Sequence, residues 1–208
     1  MGLIDFLAPR NCVFCGTLSA AGEQSICAFC FTDLPWNIPA VSPTPGIFEC
    51  SISMLHYSFP VDVAIKAFKY KRRLFYVPAF CEVLCGAEKL LPGEIDAVMP
   101  VPLHWRRKAY RGFNQAAELA KPLAASLGLP LARGLYRSKA TPFQSGLNAK
   151  KRASNLQGAF RFSRTATHAH VLIVDDVVTT GATLRAMAKV LLANGVKRVS
   201  SLTVARAG

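Results

Sequence analysis

The clearest hydrophobic pattern lies near the C-terminus. Residues 170–174 form a continuous run rich in β-branched side chains, residues 181–194 repeat apolar positions with helical period, and residues 198–204 alternate as a strand, with Gly195 capping the helix before it. Strand, helix and strand in that order make a βαβ unit, which calls for a parallel sheet with helices on its faces. Upstream, residues 51–58 alternate loosely like a strand and residues 61–70 have helical spacing. Residues 95–101 are a short apolar run ending in Pro100 and Pro102, read as a buried strand entering a loop. Residues 114–127 are Ala/Leu-rich and predict a helix capped by Asn114 and stopped at Gly128, with Lys121-Pro122 expected to kink or break it. Residues 129–136 are expected as a strand. Residues 137–158 show neither period and read as a long loop with one turn of helix near 149–156; loops that long inside a domain are usually functional.

The first part of the chain follows different rules. Cys12-Val-Phe-Cys15 and Cys27-Ala-Phe-Cys30 form two CxxC pairs separated by eleven residues. A two-residue gap lets both thiolates of a pair grip one tetrahedral ion from a tight turn, and four sulfurs close the coordination sphere of a structural Zn2+. Such an ion would fold a segment with too few apolar residues for a core of its own. Tandem redox motifs are the rival, but no thioredoxin-like strand precedes them. Cys50, Cys81 and Cys85 lack such pairing, and Cys81 and Cys85, one helical turn apart in an apolar stretch, are expected in the core. Pro35, Pro39, Pro43, Pro45 and Gly46 then exclude helix and central strand. The expected organisation is a zinc-ribbon-like domain at 1–36, a Pro-rich linker at 37–50 and an α/β domain at 51–208.

Composition narrows the partners. The 208 residues are 51% hydrophobic, which excludes a disordered or low-complexity chain. Against 25 Lys and Arg stand 12 Asp and Glu, a net charge of +13, so phosphates, nucleic acid or an acidic membrane surface are the favoured partners. The charge is uneven: residues 1–50 hold one basic residue and four acids, whereas 119–174 hold nine basic residues and no acid. Asp5 stands where a signal peptide would be basic, and the apolar stretch 119–135 is interrupted by Lys121, Pro122, Pro130 and Arg133, so neither secretion nor a transmembrane segment is expected. The expected location is the cytoplasm.

The candidate chemistry sits at the end of the 170–174 strand. Asp175 and Asp176 are followed by Val177-Val-Thr-Thr-Gly-Ala-Thr183 and then by the helix. N–H groups at a helix N-terminus, with the hydroxyls of Thr179, Thr180 and Thr183, suit a phosphate, while Gly181 lets the backbone approach it. The paired acids suit a sugar diol or Mg2+. A blander account makes the acids helix-dipole partners and the threonines capping residues.

This run resembles the signature of the type I phosphoribosyltransferases, which bind 5-phosphoribosyl 1-pyrophosphate (PRPP). The whole chain looks like the competence protein F (ComF) and GntX-like family. The paired CxxC head, Val101-Pro-Leu, Arg111-Gly-Phe-Asn-Gln115, Gln144, Arg152, Asn155, Gly158-Ala-Phe160 and the Asp175–Thr183 run fall in that family's order. The resemblance implies an α/β fold, a type I phosphoribosyltransferase-like parallel sheet flanked by helices, with an N-terminal four-cysteine zinc ribbon. It implies that Asp175 and Asp176 hold the ribose hydroxyls and Mg2+, that Thr179, Thr180, Gly181, Ala182 and Thr183 hold the 5-phosphate, and that the loop after 95–101 faces the pyrophosphate. Arg106, Arg107, Lys108 and Arg111 follow that loop and are candidates for pyrophosphate or DNA, or else a solvated basic face. The acid-free stretch with Gln144, Lys150, Lys151 and Arg152 would be the flexible loop that closes over PRPP. Purine-salvage relatives place a carboxylate where this chain has Thr179, and a threonine is no general base at neutral pH.

Two functions follow from the resemblance. One is a competence protein that binds PRPP and single-stranded DNA and aids uptake of transforming DNA across the inner membrane, with a helicase-like motor and a recombination mediator as partners. The other is Mg2+-dependent transfer of phosphoribose from PRPP to an acceptor. For DNA, Lys66, Lys69, Tyr70, Lys71 and Arg72 are candidates, since charge for the backbone sits there beside rings for stacking, as it does around Trp105, Tyr110 and Phe113. At helical spacing the same aromatics suit a core.

Overall fold

A computed structural model of the chain describes residues 11–18, 25–37, 47–139, 158–163 and 167–208. Its centre is a four-stranded sheet of β1 (Ser51–His56), β2 (Ala97–Pro100), β5 (His170–Val178) and β6 (Arg198–Arg206), ordered β1-β6-β5-β2 with every pair parallel. Parallel strands bury both faces, which is why 170–174 reads as continuous apolar sequence. One face carries Ile52, Met54, Val98, Leu172, Val174, Leu202 and Val204 against α2 (Val61–Lys71), α3 (Tyr76–Cys85) and α5 (Gln115–Ser126). The other carries Met99, Val171, Ile173 and Val199 against α6 (Ala182–Ala193) and the antiparallel hairpin of β3 (Leu135–Arg137) and β4 (Phe160–Phe162).

Several expected elements change on folding. Pro122 lies inside an unbroken α5. It occupies the solvent side, where the carbonyl it leaves without a partner can bond water, while Leu119, Ala120, Leu123 and Ala124 hold the inner side in the core. The strand expected at 129–136 reduces to one bridge, Leu131 to Val98, and the short β3, because Pro130 lacks the N–H a ladder needs. Neither α3 nor the short α4 (Trp105–Arg111) is among the elements expected above. The turn expected near 149–156, with Gln144, Lys150, Lys151 and Arg152, lies outside the described residues, as does the Pro-rich stretch 38–46.

The cysteine segment is fastened to the sheet. Ile26 and Leu34 pack into the same core as Phe80 and Leu84, and Glu82 accepts a 2.6 Å bond from the Ser25 N–H. Residues 35–37 run along the free edge of β1, where His56 N–H donates to Pro35 and Asn37 N–H donates to Met54. Phe48 and Cys50 are also buried, and Glu49 N–H donates to Val199. α1 (Ala28–Thr32) carries the second cysteine pair's turn.

One side chain fixes how α2 meets the sheet. Phe68 is fully buried, with its ring 5.8 Å from Phe80 and 5.5 Å from Phe113. Truncation there leaves a cavity, so Phe68→Ala is expected to lower unfolding free energy by roughly 3–5 kcal/mol in urea melts. A loss under about 1 kcal/mol would contradict this anchoring.

Candidate functional site

The chain leaves β2 on one face of the sheet through α5 and leaves β5 on the other through α6. Loops after two neighbouring strands therefore splay apart at their C-terminal ends, the place where open α/β sheets bind ligands. A cleft of about 410 Å3 opens there, lined by β5 and its loop, by α2, by α4 and by β3. It contains Asp175, Asp176, Thr179 and Thr183 from the acid-threonine run, and Lys69, Arg107, Arg111 and Arg137 around them.

The carboxylates sit where charge is hardest to keep. Asp176 is buried; its Oδ1 is 2.8 Å from the Lys69 ammonium and accepts the Val177 N–H at 2.7 Å. Asp175, open only toward the cleft, accepts the Asp176 N–H at 2.9 Å. Burial, then the neighbouring charge of Asp176, pushes the Asp175 carboxyl up to about 7. Burial opposes the Lys69 charge as well, but the Asp176 carboxylate outweighs it and the ammonium is held above its ordinary range. The guanidinium groups show the reverse strain. Arg137 is brought down to about 10 by burial and by the charge of Arg107, and Arg107 is lowered by burial and by Arg111. Cations crowded in this way favour an anion carrying several charges.

The phosphate-type loop is shaped at Gly181, whose φ of +70° excludes most side chains. A Cβ there would also meet the Arg185 guanidinium at 2.9 Å, because Arg185 folds back to bond the Thr180 carbonyl. Ala182 opens α6, and its N–H reaches the Thr180 hydroxyl at 3.4 Å. On the opposite wall, Asn114 Nδ2 donates to the Val101 carbonyl at 3.0 Å and ties down the loop after β2. Arg111 donates to Gln115 at 3.0 Å and lies 5.1 Å over the Tyr70 ring.

The basic candidates divide. Arg107 and Arg111, one helical turn apart, face the cleft, whereas Arg106 and Lys108 are exposed on the outer side of α4. Lys69 and Tyr70 line the cleft; Lys71 and Arg72 are exposed at the end of α2. Lys66 pairs with Asp62 at 2.7 Å on exposed helix surface, apart from the cleft. Arg72 reaches across to the Tyr110 carbonyl at 3.5 Å, so the ends of α2 and α4 form one wall. The aromatics divide too. Phe68 and Phe113 pack together inside, whereas Trp105, Tyr110 and Tyr70 are 65%, 80% and 52% exposed, with Arg106 lying 5.3 Å over Trp105. Sequence reasoning did not assign Lys69 or Arg137 to the cleft; the Arg111–Gln115 motif was the one signal for Asn114 and Gln115.

The four N-terminal cysteines converge. Their sulfurs all lie within 4.8 Å of one another, and Cys15 and Cys27 are 3.8 Å apart. Tetrahedral Zn2+ with bonds of about 2.3 Å requires sulfurs about 3.8 Å apart, so the donor set fits that ion. The Thr17 hydroxyl lowers the Cys15 thiol to about 6, whereas burial and then Cys15 raise Cys30. Among the described residues no helix is long and apolar enough to cross a membrane.

The carboxylate strain has a measurable sign. A raised carboxyl favours the folded state fully while protonated, below the ordinary aspartate range, and that contribution is lost as pH rises through about 7. Asp175→Asn is therefore expected to raise the Tm of the ligand-free protein at pH 8, with the gain vanishing toward pH 4. A gain independent of pH would show that the strain is not electrostatic.

The chain is similar to several known proteins. The family model for the phosphoribosyl transferase domain matches residues 111–208. The DNA utilization protein YhgH of Salmonella typhimurium is 30% identical over 221 residues, covering 92% of this chain and 94% of its own. Competence protein F of Haemophilus influenzae is 34% identical over 164 residues, covering 73% and 70%. Among solved structures, adenine phosphoribosyltransferase from Trypanosoma brucei aligns with a TM-score of 0.45 and 10% identity, covering 76% of this chain and 83% of that one. Likeness at 30% identity over 92% of the chain, with the domain match, identifies the chain as a member of the ComF family, within the type I phosphoribosyltransferase superfamily.

Proposed function

We propose that this chain is a competence-type protein that binds PRPP in the cleft and single-stranded DNA along its rim, in the handling of incoming DNA. The observation that carries the reading is the composition of the cleft: two carboxylates beside a threonine loop, ringed by Lys69, Arg107, Arg111 and Arg137. Asp175 supplies oxygen for the ribose hydroxyls and for Mg2+, a hard cation that takes carboxylate oxygen. Thr179, Thr180, Gly181, Ala182 and Thr183 receive the 5-phosphate at the head of α6. Arg107 and Arg111, with Arg137 opposite, receive the pyrophosphate. Gln144, Lys150, Lys151 and Arg152 belong to the segment that would close over the ligand. The clustered cysteines hold Zn2+, which fastens residues 11–18 and 25–37 against β1 and α3.

Binding is preferred here to transfer of the phosphoribosyl group. Deprotonating an acceptor needs a positioned base, and among the described lining residues the only acids are Asp175 and Asp176. Both are engaged, one with the ribose and one with Lys69. The rim suits a flexible polyanion with exposed bases: Trp105, Tyr110 and Tyr70 offer ring faces, and Arg106, Lys108, Lys71 and Arg72 offer charge beside them. A motor protein and a recombination mediator are the partners such a strand would be passed between.

Calorimetric titration of the zinc-replete protein with PRPP and Mg2+ is expected to show saturable binding that the Asp175→Asn/Asp176→Asn double variant loses by at least a hundredfold. Equal affinity in the variant would remove the sugar site. Fluorescence anisotropy with labelled single-stranded DNA is expected to show affinity falling steeply with salt, since bound phosphates release counterions. Trp105→Ala/Tyr110→Ala should weaken it about tenfold or more by loss of stacking, given roughly 1–3 kcal/mol per base. Salt-independent binding, or none, would sink the DNA reading.

A further inference from the structure

Lys69 belongs to no part of the acid-threonine signature, yet its ammonium makes the ion pair at the centre of the cleft. Three consecutive residues of α2 face three environments. Phe68 is locked in the core between Phe80 and Phe113, Lys69 reaches the cleft floor, and Tyr70 lies at the rim beneath Arg111. Because Phe68 is fully buried between those rings, the neighbouring Lys69 side chain is directed to the cleft floor. Its ammonium and Asp176 are both largely withdrawn from solvent, with side-chain exposures of 19% and 7%. Breaking such a pair leaves a buried charge uncompensated.

The pairing changes what two adjacent carboxylates can do. Adjacent acids at a strand end suit a divalent cation by charge. An ammonium 2.8 Å from Asp176 Oδ1 occupies that oxygen and repels a second cation brought to the same place. Asp175 is left as the carboxylate facing the open cleft.

We propose that Lys69 is a positioning residue that stands in for a metal ion on Asp176, so that the floor of the cleft binds no divalent cation by itself and takes one only together with a phosphorylated ligand. The reading of that ligand as a sugar phosphate is the one given above, but the role of Lys69 toward the metal does not need it. Free Mg2+ in solution then leaves the empty cleft unchanged. An arriving pyrophosphate supplies the oxygens that a cation requires, and Arg107, Arg111 and Arg137 receive the remaining negative charge. The ammonium also keeps Asp176 directed toward α2, on the same Oδ1 that accepts the Val177 N–H.

The test is a Mn2+ titration of the zinc-replete, ligand-free protein followed by electron paramagnetic resonance of the free ion, with Lys69→Gln, Lys69→Arg and Lys69→Gln/Asp176→Asn beside the wild type. The wild type should bind Mn2+ no more tightly than millimolar, Lys69→Gln at least tenfold more tightly, Lys69→Arg like the wild type, and the double variant should lose the gain. Circular dichroism melts establish that each variant is folded. Micromolar Mn2+ binding by the wild type overturns the proposal without any variant, and so does unchanged affinity in folded Lys69→Gln. Single-stranded DNA affinity measured on the same samples should stay within twofold, and a fall limited to DNA would make Lys69 a DNA contact instead. Should the wild type fail to bind PRPP while the Mn2+ results hold, the sugar-phosphate reading falls and the role of Lys69 stands.

Discussion

Two carboxylates placed side by side at the end of a buried strand cannot both remain charged without cations brought to them from elsewhere in the fold. That constraint organises the molecule. β5 is central and covered on both faces, so its C-terminal end is poorly hydrated, and Asp175 and Asp176 emerge there with little water to spread their charge. The compensating ammonium comes from α2, which must therefore be held against the sheet with little latitude. The aromatic cluster of Phe68, Phe80 and Phe113 does this, and the apolar core thereby sets the electrostatics of the cleft.

The same logic explains why the guanidinium groups gather as they do. Arg107 and Arg111 reach the cleft because α4 starts directly after the β2 loop, with His104 capping its first turn and Asn114 bonding back to Val101. Arg137 reaches it from the hairpin on the other face of the sheet. No single element could hold so many cations at close quarters against mutual repulsion. Three elements with separate anchors can, and on the proposed reading the relief of that repulsion would favour a polyphosphate.

How much of this was legible in the chain depends on the range of the interactions. The βαβ unit, the acid-threonine run and the two cysteine pairs were readable because each is a local pattern whose chemistry depends on spacing along a few residues. Lys69 was not readable. In sequence it is one cation among Lys66, Lys71, Arg72 and Arg73, and nothing local separates the one that meets Asp176 from those that meet solvent or Asp62. Arg137 carried no local signal either, since it depends on a hairpin whose two strands are joined through residues 140–157. Pro122 misled for a related reason: a local rule predicted a break, and burial of the opposite helix face outweighed it. The interleaved aromatics stood undecided between core and surface, and the fold divided them, with Phe68 and Phe113 inside and Tyr70, Trp105 and Tyr110 outside.

That division makes α2 and α4 two-sided. Their inner residues, Lys69, Arg107 and Arg111, answer the cleft, and their outer residues, Arg72, Arg106, Lys108 and Tyr110, answer the solvent. Arg72 bonded to Tyr110 joins the helices on the outside, while Arg111 over Tyr70 joins them at the rim. On the function proposed above, a ligand drawing Arg111 inward would lift it from Tyr70 and change the face that ring presents to a bound strand. Two ligands bound in that way would act through shared side chains, and by linkage any effect of one on the other's affinity would be returned in equal measure.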